Sequence, residues 1–500
     1  MEQQNTSSGF AFDPLNLSQE ERVFQKLILN EKISHFNREK IPERITHAKG
    51  AGAFGSFEIT RDLKEFTKAK LFSAVGNKVK VFARFSNYRG EKGSSDTVRD
   101  PRGFALRFYT EEGNWDIAGN NIPIFYIRDA FKLPDLIHSQ RRNPKSNLYS
   151  NETVWDFYSL NPETLHGVIM NYSERGIPKS YSNMDGFSCH AFSFINSLEE
   201  KVYVKFHFKT LQGIKNFTAR DAKNTSERSP DFYSEQLYNS IANGEFPKWK
   251  LFVQLASEQD LERFDFDPFD VTKVWSKKII PEIEIGILEL NENPENYFSE
   301  VEQAAFSPGN LIQGIGLSPD KLLQARIFAY PDAQRYRLGV NYQQLEINKP
   351  KSEIKNHYSD GRNQSNPAKK EERNYFPNSG SDFSAKYFLD TPHLDQSVKY
   401  KTYCLDDFSQ PRTLYKNMSN SEKVALIENL IESMQNVSEN ILIRQSVHFF
   451  KIDPELALSI SQAFQLDNKI IQDLASLSNL EIFHKTSQRN VKNESLEKSL

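Results

Sequence analysis

Cysteine is almost absent from the 500-residue chain, which has only Cys189 and Cys404. Two thiols so far apart exclude a disulfide-stapled scaffold or a cysteine-rich zinc module and point to an intracellular redox setting. The motifs His-Glu-x-x-His, Cys-x-x-Cys and Gly-x-Ser-x-Gly are missing too, which removes the usual signatures of zinc proteases, thiol redox proteins and α/β-hydrolases. Neither sign of charge is in excess: 63 Lys and Arg face 66 Asp and Glu, so no basic surplus invites nucleic acid. No apolar run approaches the roughly 20 residues of a membrane helix. The opening MEQQNTSSGFAFDP lacks the basic and apolar regions of a secretory signal, and Lys498-Ser499-Leu500 holds the letters of the peroxisomal address in the wrong order. The expected location is cytoplasmic or peroxisomal. What is present, 38% hydrophobic and 26% charged, suits a globular chain with a large core.

Three textures follow one another. Across about residues 53–290 recur short runs rich in Val, Ile, Phe and Tyr: FGSFEIT, VKVFARF, GFALRFYT, IPIFYIRD, KVYVKFHFKT and PEIEIGILEL. Their alternation and their Gly and Pro punctuation predict an antiparallel sheet or barrel. A second texture, to about residue 410, contains one helix and a polar stretch over 349–384, read as a long surface loop or a linker. The third is helical. Ser419 and Glu422 have capping-box spacing, and Asp453-Pro454 reads as an N-cap followed by proline at the first helical position. The expected class is α+β, divided into an arm (1–46), a β-barrel domain (47–290), a wrapping segment (291–410), a helical domain (411–484) and a tail (485–500).

Gly50-Ala51-Gly52-Ala53-Phe54-Gly55 spells G-x-G-x-x-G, but Ser56-Phe57-Glu58-Ile59-Thr60 after it reads as a strand. A dinucleotide motif needs a helix there, so a glycine-rich turn into a sheet is the better account. Residues 318–332 predict a short helix, capped by Ser318, entered through Pro319 and stopped at Tyr330 by Pro331. Arg326 and Tyr330, four apart, share a helical face. They are either a core tyrosine beside an ordinary arginine or a phenolate held by a guanidinium.

The order of several motifs bears on that choice. Ile41-Pro42-Glu43-Arg44-Ile45-Thr46-His47-Ala48-Lys49-Gly50, then Arg84-Phe85-Ser86, Arg99-Asp100-Pro101-Arg102-Gly103-Phe104, Gly113-Asn114-Trp115-Asp116 and Gly119-Asn120-Asn121-Ile122-Pro123-Ile124-Phe125 resemble the haem catalases of small-subunit type. Phe328-Ala329-Tyr330-Pro331-Asp332 and Arg335-Tyr336-Arg337-Leu338-Gly339 complete the pattern. The resemblance runs from about residue 35 to 348 and, more weakly, from 403 to 466.

It implies a barrel with a wrapping segment and a helical domain, a homotetramer, and disproportionation of hydrogen peroxide to water and dioxygen. On the proximal side it makes Tyr330 the haem iron ligand, with Arg326 holding it as phenolate. Arg44, Arg84 and Arg337 match the partners of the haem propionates, and Phe125 belongs to the haem pocket. On the distal side it makes His47 the proton-transferring base, Asn120 a hydrogen-bond donor to peroxide and Ser86 the group that orients His47. Asp100 matches the acid of the substrate channel. Many of the family also bind NADPH, and the matching positions are His166, Ser173, Arg175, Lys209, Val274 and Trp275.

The departures are specific. Tyr88 stands where a valine is usual in the narrow part of the channel, Leu133 where a phenylalanine lies beside the haem, and Gln334 where histidine is usual. Ser188-Cys189 replaces Gly-Ser ahead of His190; at the NADPH positions Met170 replaces an aromatic, Asp185 an asparagine and Lys277 a histidine. These differences leave open a catalase-fold protein that uses organic hydroperoxides, or a haem- or NADPH-binding protein without catalysis.

Overall fold

The structure, a computed structural model, describes residues 4–12, 22–354, 356–365, 373–375, 377–379 and 405–487. Cys404, much of the polar stretch beyond 365 and residues 488–500 of the expected tail lie outside the described residues.

Two short strands, β1 (Gln4–Asn5) and β2 (Ala11–Phe12), pair near the N-terminus, followed by α1 (Arg22–Phe36). The main sheet contains β3 (Gly50–Ile59), β4 (Lys78–Asn87), β5 (Arg102–Thr110), β6 (Gly113–Asn120), β7 (Gly186–Phe187), β8 (Phe192–Ile195), β9 (Lys201–Thr210), β10 (Lys248–Ala256), β11 (Glu282–Glu292) and β12 (Ile315–Gly316). Strands pair antiparallel in the order β10-β11-β3-β4-β5-β6-β7-β9, and β9 returns to β10 to close an eight-stranded barrel. The strands β8 and β12 extend from β9.

Period-two patterning builds the wall. In β4, β5 and β6 the side chains of Ala83, Phe85, Phe104, Leu106, Phe108, Trp115 and Ile117 fill one core with Phe206, Phe208 and Trp249 from across the barrel. The alternate residues, Arg84, Ser86, Gly103, Arg107, Asp116 and Asn120, therefore face outward, where further chain covers them. The glycine-rich motif, expected as a turn into a sheet, is itself strand: β3 already begins at Gly50. A Cβ at Gly50 would lie 2.2 Å from Phe85 O and one at Gly55 1.9 Å from Glu289 O, so these glycines permit close backbone approach within the wall.

The run IPIFYIRD differs from its strand-like composition: residues 121–129 form no strand. Pro123 offers no N–H to a ladder, while Ile122, Ile124, Phe125, Tyr126 and Ile127 all enter a second core against the helices. That core gathers α2 (Leu133–Ser139), α3 (Asn151–Leu160), α4 (Leu165–Tyr172), α9 (Ser409–Lys416), α10 (Asn420–Ser433), α11 (Glu439–Ile452), α12 (Pro454–Ala463) and α13 (Asn468–Ala475). Further α-helices among the described residues include α5 (Ala219–Arg228), α6 (Phe232–Ala242), α7 (Glu258–Leu261) and α8 (Lys321–Leu338). Both C-terminal start signals hold: Ser419 and Glu422 form a capping box, and the Asp453 side chain caps α12 ahead of Pro454.

The helix α8 corrects the expected short one. Its N-cap is Asp320, whose carboxylate accepts from the N–H groups of Leu322 and Leu323, and the helix runs through Pro331 to Leu338. Proline removes one backbone bond, but α8 is held along its length by buried Leu322, Leu323, Arg326, Gln334, Arg337 and Leu338. Tertiary contacts override the local stop signal. Among the described residues no helix is long and apolar enough to cross a membrane.

Candidate active site

The distal group is set by strand register. Gly50 lies opposite Ser86, Ser86 opposite Gly103, and Gly103 opposite Asn120. Directly opposed residues share a face, so Ser86 and Asn120 point the same way from strands two apart, with a glycine between them. The gap is used: a Cβ at Gly103 would meet Ser86 Oγ at 2.3 Å and His47 Nδ1 at 2.7 Å. His47 fills it, with Nδ1 2.9 Å from Ser86 Oγ.

His47 sits just before β3 with φ +64°, a left-handed conformation that a non-glycine residue adopts at a cost of about 1–3 kcal/mol. It is held there from both sides: its N–H donates to Tyr88 O at 3.0 Å, and its carbonyl accepts from Arg84 Nη1 at 2.8 Å. Burial, reinforced by the guanidiniums of Arg84, Arg326 and Arg44, pulls its pKa down to about 3. The imidazole is neutral at physiological pH. Asn120 is buried, with Nδ2 3.7 Å from Cys189 Sγ.

Across the site, α8 supplies Arg326 and Tyr330 on one face. Arg326 Nη2 donates to Tyr330 Oη at 2.5 Å and to Ala118 O at 3.0 Å, which ties the proximal helix to the strand that carries Asn120. Burial alone would lower the Arg326 pKa, but Tyr330, Cys189 and Asp320 together outweigh it and the net shift is upward. At the start of the helix Asp320 also accepts from His190 Nδ1 at 2.6 Å. Burial keeps His190 below its ordinary pKa, so a neutral imidazole faces a carboxylate.

A third group is cationic. Arg44 Nη2 donates to the carbonyls of Val301 (2.9 Å), Glu302 (3.0 Å) and Ala304 (2.8 Å). Arg337 reaches Pro42 O (3.0 Å) and Glu302 O (2.8 Å), and Gln334 Oε1 accepts from its Nη1 at 3.0 Å. Arg84, Arg44 and Arg337 thus converge on a site with one nearby carboxylate, Glu302, and burial lowers the pKa of both Arg44 and Arg337, the latter to about 10. Arg44 Nη1 and Arg84 Nε are buried with no hydrogen-bond partner. Surplus positive charge and orphaned donors suit an anion carrying carboxylates, and a phenol oxygen held by a guanidinium suits ferric iron. The donor set fits haem.

The other expected residues fall into two places. Phe125 and Leu133 belong to the core that also contains Tyr88, while the buried Asp100 carboxylate is taken by Arg89 through its N–H (2.6 Å) and Nε (3.0 Å). The expected NADPH positions are only partly assembled. His166 is bonded to Thr272 O at 2.9 Å, Trp275 Nε1 to Pro268 O at 2.8 Å, and the Ser173 hydroxyl turns back onto Met170 O at 2.7 Å. Lys209 lies 3.5 Å from Asp185 and 3.8 Å from Glu282, with exposed Arg175 lining a shallow cleft beside Asp185. Both backbone groups of Val274 are bonded by the Gln410 side chain, at 2.9 and 3.1 Å. Residue-by-residue reading misses Gln410, Glu302 and Gly103. Only the three-dimensional pairing reveals them, although Gly103 in Arg102-Gly103-Phe104 stands within a quoted motif.

The chain matches the Catalase family model over residues 15–382 and the Catalase-related immune-responsive model over residues 404–464. It is 47% identical over 455 residues to a catalase of Helicobacter pylori (strain ATCC 700392 / 26695), covering 89% of this chain and 90% of that protein. It is 46% identical over 447 residues to Catalase A of Pseudomonas putida, covering 88% and 92%. A solved fungal catalase superposes with TM-score 0.87 at 37% identity over 92% of this chain and 96% of that one. A solved bacterial catalase does so with TM-score 0.87 at 40% identity over 93% and 96%. With the site geometry, these similarities establish that the chain belongs to the catalase family, haem enzymes that decompose hydrogen peroxide to water and dioxygen.

Proposed function

We propose that the two sides of this site divide the peroxide reaction between them. On the proximal side Tyr330 ligates the iron, Arg326 holds its oxygen as phenolate, and Arg44, Arg84 and Arg337 bind the haem carboxylates. Bound there, haem supplies the two-electron redox chemistry that one peroxide feeds and a second reverses. On the distal side neutral His47 takes a proton from one peroxide oxygen and returns it to the other, making water the leaving group. Its Nδ1–H donates to Ser86 Oγ, which leaves Nε2 to carry the proton, while Asn120 Nδ2 donates to the bound peroxide.

The observation that carries this reading is the 2.9 Å bond from His47 to Ser86 on the row that also presents Asn120. Dioxygen evolution by the haem-loaded protein, with its visible spectrum recorded in parallel, tests it. His47→Ala is expected to keep the haem spectrum and lose about 10²- to 10⁴-fold in rate, whereas Tyr330→Phe is expected to lose tight haem binding. An unchanged rate in the first or an unchanged spectrum in the second contradicts the assignment.

The finer arrangement belongs to the same proposal: residues 1–46 as an arm, 47–290 as the haem-bearing barrel, 291–410 as the wrapping segment and 411–484 as a helical domain, assembled as a homotetramer. NADPH is proposed at Arg175, Lys209, His166, Ser173, Val274 and Trp275. Burial lowers the Lys209 pKa; Asp185 and Glu282 oppose that shift, and Lys277 and Arg175 add to it, so the grouping of Lys209 with Lys277 and Arg175 is what supports an anionic ligand there. Fluorescence of released nucleotide and light scattering test these two points.

A further inference from the structure

One polar group beside the distal pocket has no role in the reaction as read above. Tyr88 is 4% exposed, and its hydroxyl has no hydrogen-bond partner. Burying an unpaired hydroxyl is unfavourable, so such a group marks the place of a polar partner that is not part of the protein. Tyr88 follows β4 directly, two residues beyond Ser86. Its carbonyl accepts from His47 N–H at 3.0 Å, and its own N–H donates to Pro101 O at 3.0 Å. The ring meets the His47 imidazole edge-on with centroids 5.4 Å apart and Phe125 with centroids 6.1 Å apart. Its oxygen feels Asp100 and Arg89 as well as Tyr330 and Arg326, so it lies within electrostatic reach of both the expected channel acid and the proximal pair. Tyr126 also carries an unpaired buried hydroxyl, but its ring stacks on Tyr158 at 5.9 Å and covers Gly167 of α4.

We infer that Tyr88 is a further substrate-positioning residue of the distal pocket. Its phenol donates a hydrogen bond to the peroxide held by His47 and Asn120, and its ring, braced between His47 and Phe125, admits hydrogen peroxide and excludes peroxides that carry an alkyl group. A site built to hydrogen-bond its substrate discriminates through that bond, and a bulky ring in the pocket adds steric rejection. The inference rests on the haem reading given above.

The test uses the full-length haem-loaded protein, with cyanide as a small hydrogen-bond acceptor titrated by visible spectroscopy. Tyr88→Phe is expected to leave the unliganded haem spectrum unchanged and to weaken cyanide binding about tenfold. Tyr88→Val is expected to show the same loss and to react with tert-butyl hydroperoxide at least about tenfold faster. A crystal structure of the wild-type cyanide complex is expected to place Tyr88 Oη within hydrogen-bond distance of the cyanide nitrogen. That structure does not depend on any variant folding, and Oη turned to another partner overturns the inference. A normal haem spectrum with equal cyanide affinity in wild type and Tyr88→Phe overturns the hydrogen bond alone, and an unchanged rate in Tyr88→Val overturns the size limit. Wild-type protein that takes up no haem would overturn the haem reading together with everything built on it.

Discussion

At the scale of single residues, His47 shows how environment chooses function. An imidazole ordinarily titrates near pH 6.5, but burial and three guanidiniums bring this one to about 3. Its base form is therefore fully populated at neutral and mildly acidic pH. The rate of peroxide decomposition is expected to be flat from about pH 5 to 8, and an acid limb centred near 6.5 in kcat/KM would assign the base to a different group. Ser86→Ala removes only the partner that orients the ring, and a fall in rate of about tenfold with unchanged haem content is expected. Arg326 and Tyr330 were legible as a pair because four residues span one helical turn. The convergence of Arg44, Arg84 and Arg337 near Glu302 was legible only through resemblance, since spacings of 35 to 293 residues carry no local signal.

At the scale of elements, the chain's own start signals were reliable where they were redundant. Ser419 with Glu422 and Asp453 with Pro454 each combine a side-chain cap with a second cue, and both helices begin where those cues say. The proximal helix departs from its local signals at both ends. Ser318-Pro319 looks like a cap and first turn, but the buried Asp320 carboxylate takes the Leu322 and Leu323 N–H groups at 2.9 and 3.0 Å and starts the helix two residues later. Pro331 looks like a stop, yet packing carries the helix past it. Because Asp320 is both the cap and the partner of His190, Asp320→Ala is expected to cost more than the roughly 0.5–2 kcal/mol of an ordinary cap. Thermal unfolding of that variant beside Ser419→Ala, which loses a surface cap only, measures the difference. Equal shifts would mean that the His190 contact adds nothing.

At the scale of the whole molecule, the barrel and the chain that covers it are joined through buried charge. Arg107 and Asp116 face each other across the outer wall at 2.7 Å, both fully buried. Arg107 also bonds Asn348 Oδ1 at 2.8 Å and Ile347 O at 3.1 Å, while Asp116 accepts from Ser307 N–H at 3.0 Å and Asn310 Nδ2 at 2.7 Å. Arg107→Met strands the carboxylate and is expected to destabilise the fold by about 3–5 kcal/mol, read as a shift in denaturant midpoint. Buried histidines set a pH dependence as well. The pKa values of His47, His166 and His448 lie at about 3, 4 and 4, chiefly through burial. All three lie below the unfolded value near 6.5, so between about pH 6.5 and 4 the unfolded chain takes up protons that the folded one refuses. Stability is expected to be complete above about pH 6.5 and to fall as the pH drops, more gently in His448→Gln, and a midpoint that rises on acidification would contradict the assignment. One further consequence lies in the row Gly50, Ser86, Gly103 and Asn120. Catalytic spacing there is counted in ladder rungs, so a two-residue slip of β6 against β5 would keep Trp115 and Ile117 facing the core while carrying Asn120 off the rung it shares with Gly103. Peroxide turnover thus doubles as a proofreader of strand alignment: a slipped barrel could fold and still fall silent.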